Sequence, residues 1–280
     1  MSTRISTFAA AALLGGAAMF GLSAGTASAQ PACPDVHWMG AAGSGERTPA
    51  DIATDDGMGR VVNKSYRDFA GLVQGSGRTI TAEAVDYPAV PVPADGGAMG
   101  WLGFMSSVDT GAAALAAQYA AFVAQCPTTQ VVLAGYSQGA MVVHRNLAAL
   151  ETSPNLAAAL LVADGDRQPQ DPTLNLGSVT AVPGRGKGVA QDWPILAHAP
   201  ALLTPAMGGR TISVCDLGDA VCDYDPDAED DMNPAAVAVH TSYARNASAM
   251  DAWTAPLFRL VQNRPMAIPD ANPMQVAAGS

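Results

Sequence analysis

Charged residues are scarce in this sequence, and basic residues are the scarcest. Only 14% of the 280 residues are charged, with 14 Lys and Arg against 25 Asp and Glu. The resulting formal net charge of −11 disfavours nucleic acids and anionic membranes as partners. So little charge, beside a hydrophobic content of 49%, also argues against disorder. We expect a folded chain with a large core and no nucleic-acid partner.

The apolar run near the N-terminus is too short for a confident membrane span, which needs roughly 20 residues. It occupies residues 8 to 22, follows Arg4 and leads to Ala27-Ser28-Ala29. A positive start, a short apolar run and a small-x-small site are typical of a secretory signal peptide. We therefore predict that residues 1–29 are cleaved and that the protein is secreted, extracellular or associated with the cell envelope, with no stable membrane anchor. An uncleaved N-terminal anchor is the alternative.

Cysteine is also rare, with four residues in the chain. An even number in an exported chain favours disulfides, and four cysteines allow three pairings. A metal site is the alternative, but Cys215 and Cys222 lie further apart than the ligands of a zinc knuckle. The acidic stretch 223–231 raises the idea of calcium, yet its spacing fits no EF-hand loop, and we interpret it as an exposed acidic turn. We predict no metal and no organic cofactor.

About 250 residues follow the predicted signal peptide, a size that one α/β domain fills. Apolar stretches of strand length alternate with longer segments of helical spacing. The strand candidates are residues 36–42, 79–87, 129–136, 157–163 and 211–216. Repeated strand–helix–strand order predicts a parallel sheet with helices on both faces. The predicted fold is therefore a three-layer α/β/α arrangement with a central five-stranded parallel sheet in the order 2-1-3-4-5.

The clearest helical pattern covers residues 110–125, with Asp109 as a plausible N-cap. We predict a second helix from residue 138 to about residue 150. A terminal helix is predicted over residues 243–262.

Two stretches interrupt this alternation. Residues 87–100 are rich in Pro and Gly and are predicted to form a loop, and residues 184–209 also break the pattern. We assign one domain to residues 30–263 and a loose tail to residues 264–280.

The sequence Gly135-Tyr136-Ser137-Gln138-Gly139 joins an apolar strand to a helix. In that context Gly-x-Ser-x-Gly predicts a sharp turn that lifts the serine hydroxyl above the sheet. The two glycines have no Cβ, so the strand and the helix can close around the serine. An ordinary strand–helix turn is the alternative, since the motif alone is a weak signal. With both flanking elements in place, we predict that Ser137 is a nucleophile.

A serine hydroxyl needs a base to act as a nucleophile, and the chain has four histidines. In folds with this turn, the partners follow the order Ser, acid, His. His37 precedes the serine, and His144 lies two turns along the same helix, too far to fold back. His198 and His240 are left, and we interpret His198 as a loop residue near Trp193.

The position of the candidate acid in the chain selects one of these two histidines as the base. Asp219 lies between the last two cysteines, in a short loop after the last predicted strand. A bridge between those cysteines would hold the carboxylate at the carboxyl end of the sheet, where the serine also lies. Only His240 follows Asp219 in the chain. The competing acids, Asp164 and Asp166, are interpreted as turn residues that cap the next segment.

Several of these sequences resemble the cutinase family, and the likeness extends from Cys33 to about Tyr243. The matching sequences are Ala32-Cys33-Pro34-Asp35-Val36, Gly43-Ser44-Gly45-Glu46, Cys126-Pro127, the turn around Ser137, the loop 215–222 and His240-Thr241-Ser242-Tyr243. Two stretches depart from the family pattern. Residues 87–107 carry an unusual apolar cluster, and residues 184–209 form a longer segment than compact members have. Both stretches are candidate lids, whereas the family is known for an open serine.

The resemblance implies an α/β-hydrolase fold and a catalytic triad of Ser137, Asp219 and His240. It also implies that Ser44 and Gln138 form an oxyanion hole.

The resemblance further implies the disulfides Cys33–Cys126 and Cys215–Cys222. The first pair agrees with the predicted sheet, in which the first and third strands are neighbours. Both cysteines precede those strands and therefore lie at the same end of the sheet.

The implied activity is hydrolysis of carboxylic esters through an acyl-enzyme on Ser137. Cutin-like polyesters, short to medium acyl esters and lipids are the expected substrates, and we expect a monomer. Acetylxylan esterase, phospholipase and thioesterase activities are alternatives with the same triad. A non-catalytic binding protein that keeps the turn only as structure is an alternative from another class.

Apolar side chains on both sides of the predicted site are candidates for substrate binding. Trp101, Phe104 and Met105 precede the helix near residue 109, and Val237 and Val239 precede the predicted base. Together they are predicted to form an apolar rim around the serine. The alternative is that Trp101 and Phe104 fill the core under the loop. An apolar rim predicts that butyl to octyl esters of p-nitrophenol, which differ in their acyl chain, are hydrolysed better than the acetate.

Overall fold

The computed structural model describes residues 32–93, 97–193, 196, 201–227, 233–245 and 247–264, with residues 247–249 described by their backbone alone. The predicted signal peptide, His198 and the tail beyond residue 264 lie outside the described residues.

A single parallel sheet organises the described residues. Its strands are β1 (Val36–Ala41), β2 (Ile80–Ala84), β3 (Gln130–Tyr136), β4 (Leu156–Val162), β5 (Leu174–Leu176) and β6 (Thr211–Val214). Their spatial order is β2-β1-β3-β4-β6-β5, and all five pairings are parallel. The predicted sheet was one strand short, because β5 is a three-residue edge strand with partly exposed side chains and no apolar run.

Helices cover both faces of this sheet. They are α1 (Pro49–Asp55), α2 (Arg60–Gly75), α3 (Ala98–Gln125), α4 (Gln138–Leu147), α5 (Pro205–Gly208), α6 (Pro234–His240) and α7 (Ala247–Gln262). The alternation of β3 side chains separates two cores. Val132 and Ala134 pack with residues of α2 and α7, whereas Val131 and Leu133 pack with residues of α3, α4 and α5. Burial on both faces explains why the central strands read as continuous apolar runs.

Helix α3 differs most from its prediction. It begins at Ala98 rather than residue 110, so Asp109 lies inside the helix and pairs with Arg145 at 3.2 Å instead of capping it. The two glycines at 100 and 103 hide this extension in the sequence, while the burial of Phe104 and Val108 stabilises it. The apolar cluster around Trp101 is therefore helical and does not belong to the preceding loop.

The other helix boundaries differ by a few residues. Helix α4 ends at Leu147 rather than near residue 150, and α7 begins at Ala247 rather than residue 243. In the described part of the chain, no helix is both long enough and apolar enough to cross a membrane.

Two disulfides fasten the fold, and they are the pairs that the resemblance implies. Cys33–Cys126 joins the chain ahead of β1 to the chain ahead of its neighbour β3, with the Cα atoms 5.4 Å apart. Cys215–Cys222 closes a loop of only a few residues after β6. The second bridge constrains the position of Asp219, which lies inside that loop.

Candidate active site

Ser137 lies in a strained turn between β3 and α4. Its backbone has φ 54° and ψ −120°, outside the regions that side chains with a Cβ favour. A Cβ on Gly135 would lie 2.1 Å from the Gly139 carbonyl oxygen, and a Cβ on Gly139 would lie 2.1 Å from the Ala41 carbonyl oxygen. Both glycines are therefore needed for the close approach, as the sequence predicts. The Ser137 N–H donates to the Val162 carbonyl at 2.9 Å, which fixes the turn on β4.

The fold brings Ser137, His240 and Asp219 into one hydrogen-bonded chain. His240, the last residue of α6, has its Nε2 3.0 Å from Ser137 Oγ. Its Nδ1 lies 3.0 and 3.1 Å from the two carboxylate oxygens of Asp219. With the proton on Nδ1, the imidazole donates to the carboxylate and leaves the Nε2 lone pair facing the serine hydroxyl. This is the arrangement that a serine nucleophile and its base require.

Donors from its own loop and from Tyr243 hold the Asp219 carboxylate. The N–H groups of Val221 and Cys222 donate to Oδ1 at 2.7 and 3.1 Å, and the Tyr243 hydroxyl donates to Oδ2 at 2.8 Å. The Asp219 side chain is fully buried. Burial, together with the charge of Asp219, raises the pKa of Tyr243 well above its usual value, so the phenol stays a donor. Buried and held by these donors, the carboxylate has little freedom to turn away from His240.

The contacts of two tyrosines at this site were missed in the sequence. Tyr243 follows the predicted base by three residues, and Tyr136 directly precedes the serine. The Tyr136 hydroxyl donates to the His240 carbonyl at 2.7 Å, and its ring stacks on the imidazole with centroids 5.2 Å apart. Burial raises the pKa of Tyr136 above its usual value. Their positions beside the motifs were visible, but the contact of Tyr136 with His240 spans more than a hundred residues.

Ser44 lies in the tight loop after β1. The Gly43 N–H donates to Glu46 Oε2 at 3.0 Å, and the Gly45 N–H donates to the Ala89 carbonyl at 2.7 Å. Burial raises the pKa of the Glu46 carboxyl. The hydroxyl of Ser44 is shielded from solvent and has no hydrogen-bond partner among the described residues. A buried hydroxyl without a partner is costly, and a ligand oxygen would satisfy it.

Gln138 is the first residue of α4 and is fully buried. Its side chain is fixed, because Ser107 Oγ donates to Oε1 at 3.1 Å and Nε2 donates to the Val90 carbonyl at 3.2 Å. Its backbone N–H belongs to the first turn, where N–H groups have no partner inside the helix and favour negative charge. A serine hydroxyl and a helix N-terminus thus lie on the approaches to Ser137.

Among the described residues, the other candidate histidines and acids are engaged elsewhere. His37 stacks on Phe122 with centroids 3.7 Å apart, and His144 pairs with Asp164 at 2.6 Å. Asp164 also accepts the Asp166 N–H at 3.0 Å, which agrees with its interpretation as a turn residue. The buried ion pair of Asp166 with Arg145, at 2.8 Å, was not predicted.

Two spaces open beside Ser137. We call the first the inner cavity; it has a volume of about 40 Å³, and its lining includes Trp101, Phe104, Met141, Trp193 and Leu196. We call the second the outer cleft; it has a volume of about 350 Å³, and its lining includes Ser44, Arg60, Val61, Val237, His240 and Thr241.

Three of the five predicted substrate-binding residues line these spaces. Trp101 and Phe104 line the inner cavity, and Val237 lines the outer cleft. Met105 and Val239 are partly buried and line neither of the two. The helical conformation of residues 98–109 turns Met105 toward the core that α3 and α4 share.

A third cavity, of about 560 Å³, is lined by neither Ser137 nor His240. Asp223 lines it and is buried, contrary to the interpretation of 223–231 as an exposed turn, whereas Pro226 and Asp227 are exposed and residues 228–231 lie outside the described residues. Its carboxylate accepts hydrogen bonds from Arg185 and from the N–H groups of Gly186 and Gly218. Among the described residues, no group of three or more His, Cys, Asp or Glu is arranged to hold a metal ion.

Comparison with known proteins gives concordant matches. The family model described as Cutinase matches residues 32–255. A cutinase from Kineococcus radiotolerans is 30% identical over 219 residues, which cover 78% of this chain and 59% of the relative. Acetylxylan esterase 2 of Talaromyces purpureogenus is 36% identical over 140 residues, which cover 48% of this chain and 50% of the relative. The chain thus spans only half to three fifths of the length of these two relatives.

Proteins of known structure share this fold. A cutinase-like protein from Cryptococcus sp. superposes with a TM-score of 0.56 over 84% of this chain and 96% of its own, at 19% identity. At that identity the match concerns the fold alone. Since the family model covers most of the chain and the bacterial relative is 30% identical over 78% of it, this chain belongs to the cutinase family.

Proposed function

We propose that this protein is a secreted carboxylic ester hydrolase that works through an acyl-enzyme on Ser137. The hydrogen-bonded chain from Ser137 Oγ through His240 to Asp219 carries the proposal, because it supplies a nucleophile, a base and an orienting acid. Membership of the cutinase family supports the same reaction class. The two disulfides and the predicted signal peptide support secretion.

The first half of the reaction forms the acyl-enzyme. His240 Nε2 takes the proton of Ser137 Oγ while the oxygen attacks the ester carbonyl carbon. Asp219 stabilises the imidazolium that forms and keeps the proton of Nδ1 in place. His240 then gives its proton to the leaving oxygen, the bond from carbon to that oxygen breaks, and the alcohol departs.

Water completes the cycle by the same steps. His240 takes a proton from water as its oxygen attacks the acyl carbon, and returns a proton to Ser137 Oγ as the carboxylic acid leaves. Negative charge builds on the carbonyl oxygen in both halves. The backbone N–H of Gln138 and the hydroxyl of Ser44 would bind that oxygen, and one such donor is worth roughly 3–4 kcal/mol in a well-studied case.

The names of the relatives, cutinase and acetylxylan esterase, define the range of the proposal. Cutin-like polyesters and acetylated xylan are both esters that this arrangement could hydrolyse, and phospholipids or thioesters remain alternatives with the same chemistry. A non-catalytic binding protein is disfavoured by the fixed orientation of the Asp219 carboxylate, which binding alone does not need.

Covalent labelling tests the proposal directly. A fluorophosphonate should modify Ser137 and stop hydrolysis of p-nitrophenyl esters, whereas Ser137→Ala should lose both labelling and activity, by roughly a million-fold in rate. Ser106→Ala is a matched control, because Ser106 is an exposed serine on α3. Unlabelled Ser137, or a Ser137→Ala variant that keeps more than about a hundredth of the rate, would contradict the assignment.

A further inference from the structure

The inner cavity and the outer cleft differ greatly in size and meet at Ser137. The direction of proton transfer during hydrolysis determines which part of an ester lies in each of them. We propose that the acyl group enters the inner cavity and that the alcohol lies in the outer cleft. The enzyme then hydrolyses esters of short acyl groups with larger alcohols, and Trp101 and Trp193 set the limit on acyl length. This inference rests on the proposed function, since it needs Ser137 and His240 in their catalytic roles.

The position of His240 orients the substrate. When Ser137 Oγ attacks, the carbonyl carbon carries the acyl chain, the alkoxy group and the oxygen that accumulates negative charge. The alkoxy oxygen must lie within reach of His240 Nε2, because that atom delivers the proton to it. His240 lines the outer cleft and is not among the residues that line the inner cavity. The alcohol is therefore in the cleft, and the acyl chain points to the other side.

The positions of the oxyanion donors agree with this orientation. Ser44 lines the outer cleft, Gln138 lines the inner cavity, and Ser137 lines both. A carbonyl oxygen bound between Ser44 and the Gln138 N–H would lie at the junction of the two spaces. The acyl chain and the alkoxy group on the carbonyl carbon then diverge, the first into the inner cavity and the second into the outer cleft.

The volumes limit what each substituent can be. The inner cavity measures about 40 Å³ and the outer cleft about 350 Å³. A cavity of this kind needs roughly 10–15 Å³ of such space to hold one water molecule, and a methyl group is of similar size. The inner cavity thus has room for an acyl chain of only a few carbon atoms. Of the butyl to octyl acyl chains expected from the apolar cluster in the sequence, only the shortest agree with this volume.

Two tryptophans from the two unusual segments form part of the wall of the inner cavity. Trp101, in the first turn of α3, meets Trp193 edge to face with ring centroids 5.1 Å apart, and Phe104 lies 5.5 Å from Trp101. Trp193 is anchored, because its Nε1 donates to the Tyr224 hydroxyl at 2.6 Å. An anchored aromatic pair yields less readily to a long chain than a flexible aliphatic wall would.

The outer cleft suits a partly apolar alcohol. Val61 and Val237 contribute apolar surface to its lining, and Arg60 and Thr241 contribute polar groups. Val237 is 37% exposed, so apolar surface is available to a substrate there. A long alkyl alcohol can bury its chain against such a surface, and each methylene removed from water favours binding.

A pair of isomeric esters tests the orientation. Octyl acetate and ethyl octanoate have the same atoms and leaving alcohols of similar acidity, but they exchange the long and the short chain. We expect kcat/KM for octyl acetate to exceed that for ethyl octanoate by about tenfold or more, since each methylene that does not fit a pocket costs about that factor. Trp101→Ala should move this ratio toward ethyl octanoate by at least about tenfold.

Leu102→Ala is the matched control. Leu102 neighbours Trp101 on α3, is 54% exposed and lines neither space, so its removal should leave the ratio as in the wild type. Where Trp101→Ala does not fold, Trp101→Leu shortens the same side chain with less loss of packing. A wild-type preference for ethyl octanoate, or a ratio that neither Trp101 variant changes, would overturn the inference. Failure of fluorophosphonate to label Ser137 would instead overturn the proposed function, so the two failures are distinguishable.

Discussion

Two aspartate–histidine pairs in the described part of this molecule have similar contacts and different surroundings. In each, an imidazole Nδ1 lies within hydrogen-bond distance of a buried carboxylate: Asp219 for His240, and Asp164 for His144. The distance from Nδ1 to the nearest carboxylate oxygen is even shorter in the Asp164 pair, at 2.6 Å, than in the Asp219 pair, at 3.0 Å. Proximity of acid and base therefore does not distinguish the candidate active site from the core.

The surroundings of the second ring nitrogen, Nε2, distinguish the two histidines. Nε2 of His240 faces the Ser137 hydroxyl at 3.0 Å, and the His240 side chain is 14% exposed, so a substrate can approach it. Nε2 of His144 faces a second carboxylate, Asp171, at 3.6 Å, and the His144 side chain is only 1% exposed. One pair can pass a proton to a reacting group, whereas the other is a buried cluster of charges without access.

Replacing each of the two aspartates by asparagine tests this comparison and gives the largest expected effect. Asp219→Asn should lower kcat by roughly 10⁴, because the amide favours the wrong imidazole tautomer. Asp164→Asn should leave kcat of the folded protein within about twofold, yet destabilise it by roughly 3–5 kcal/mol, the usual cost of breaking a buried pair. Ester hydrolysis and thermal unfolding, measured on both variants, check this. A loss of kcat in Asp164→Asn as large as in Asp219→Asn would remove the distinction.

The sequence predicted the residues of the candidate site better than the features around it. The turn at Ser137 was predictable because Gly135 and Gly139 are needed at their positions, and the order Ser, acid, His then selected Asp219 and His240. The central strands β1, β3 and β4 were predictable because burial on both faces makes them largely apolar, whereas β2 is only partly buried and contains Glu83. The turn and the strands are local signals that can be read within about ten residues, whereas the choice of Asp219 and His240 also used their order along the chain.

The features that were missed depend on distant contacts. Strand β5 exists because Leu174–Leu176 pair with β6, and nothing in those three residues requires a strand. Helix α3 extends over Gly100 and Gly103 because Phe104 packs in the core that α3 shares with α4. The contacts of Tyr136 and Tyr243 join segments that no periodicity connects.

Tyr243 offers a smaller test of what fixes the active-site pair. Tyr243→Phe removes the hydrogen bond to Asp219 Oδ2 and keeps the ring in the core. A hydrogen bond to a charged group contributes about 1.5–3 kcal/mol, so we expect kcat to fall by roughly tenfold or somewhat more. Tyr136→Phe is the comparison variant, because its hydroxyl binds the His240 carbonyl and not the carboxylate. An equal loss in both variants would show that orientation of Asp219 is not what Tyr243 contributes.

The pH dependence of stability tests the core pair. Burial lowers the pKa of His144, but the charge and hydrogen bond of Asp164, with the charges of Asp166 and Asp171, outweigh it and raise the pKa above its usual value. A histidine whose pKa is higher in the folded state stabilises the fold fully below its unfolded pKa of about 6.5. That contribution is lost as the pH rises through the folded pKa.

Burial also raises the pKa of Asp166 to about 6, which makes stability fall with rising pH in the window between about 4 and 6.

Above that window the histidine contributes with the same sign, and we expect the melting temperature to fall as the pH rises from about 6.5 through the folded pKa of His144. For a chain of this size, each kcal/mol corresponds to roughly 2–4 °C. His144→Gln has no charge to lose and should show a flatter profile in this range, and Asp164→Asn should flatten it as well, because it removes the first of the charges that raise the histidine pKa. Calorimetric scans of the three proteins at matched ionic strength measure the slopes. A melting temperature that rises over this range, or an unchanged slope in His144→Gln, would mean that His144 is neutral in the folded protein and that its imidazole N–H donates to the Asp164 carboxylate without a positive charge.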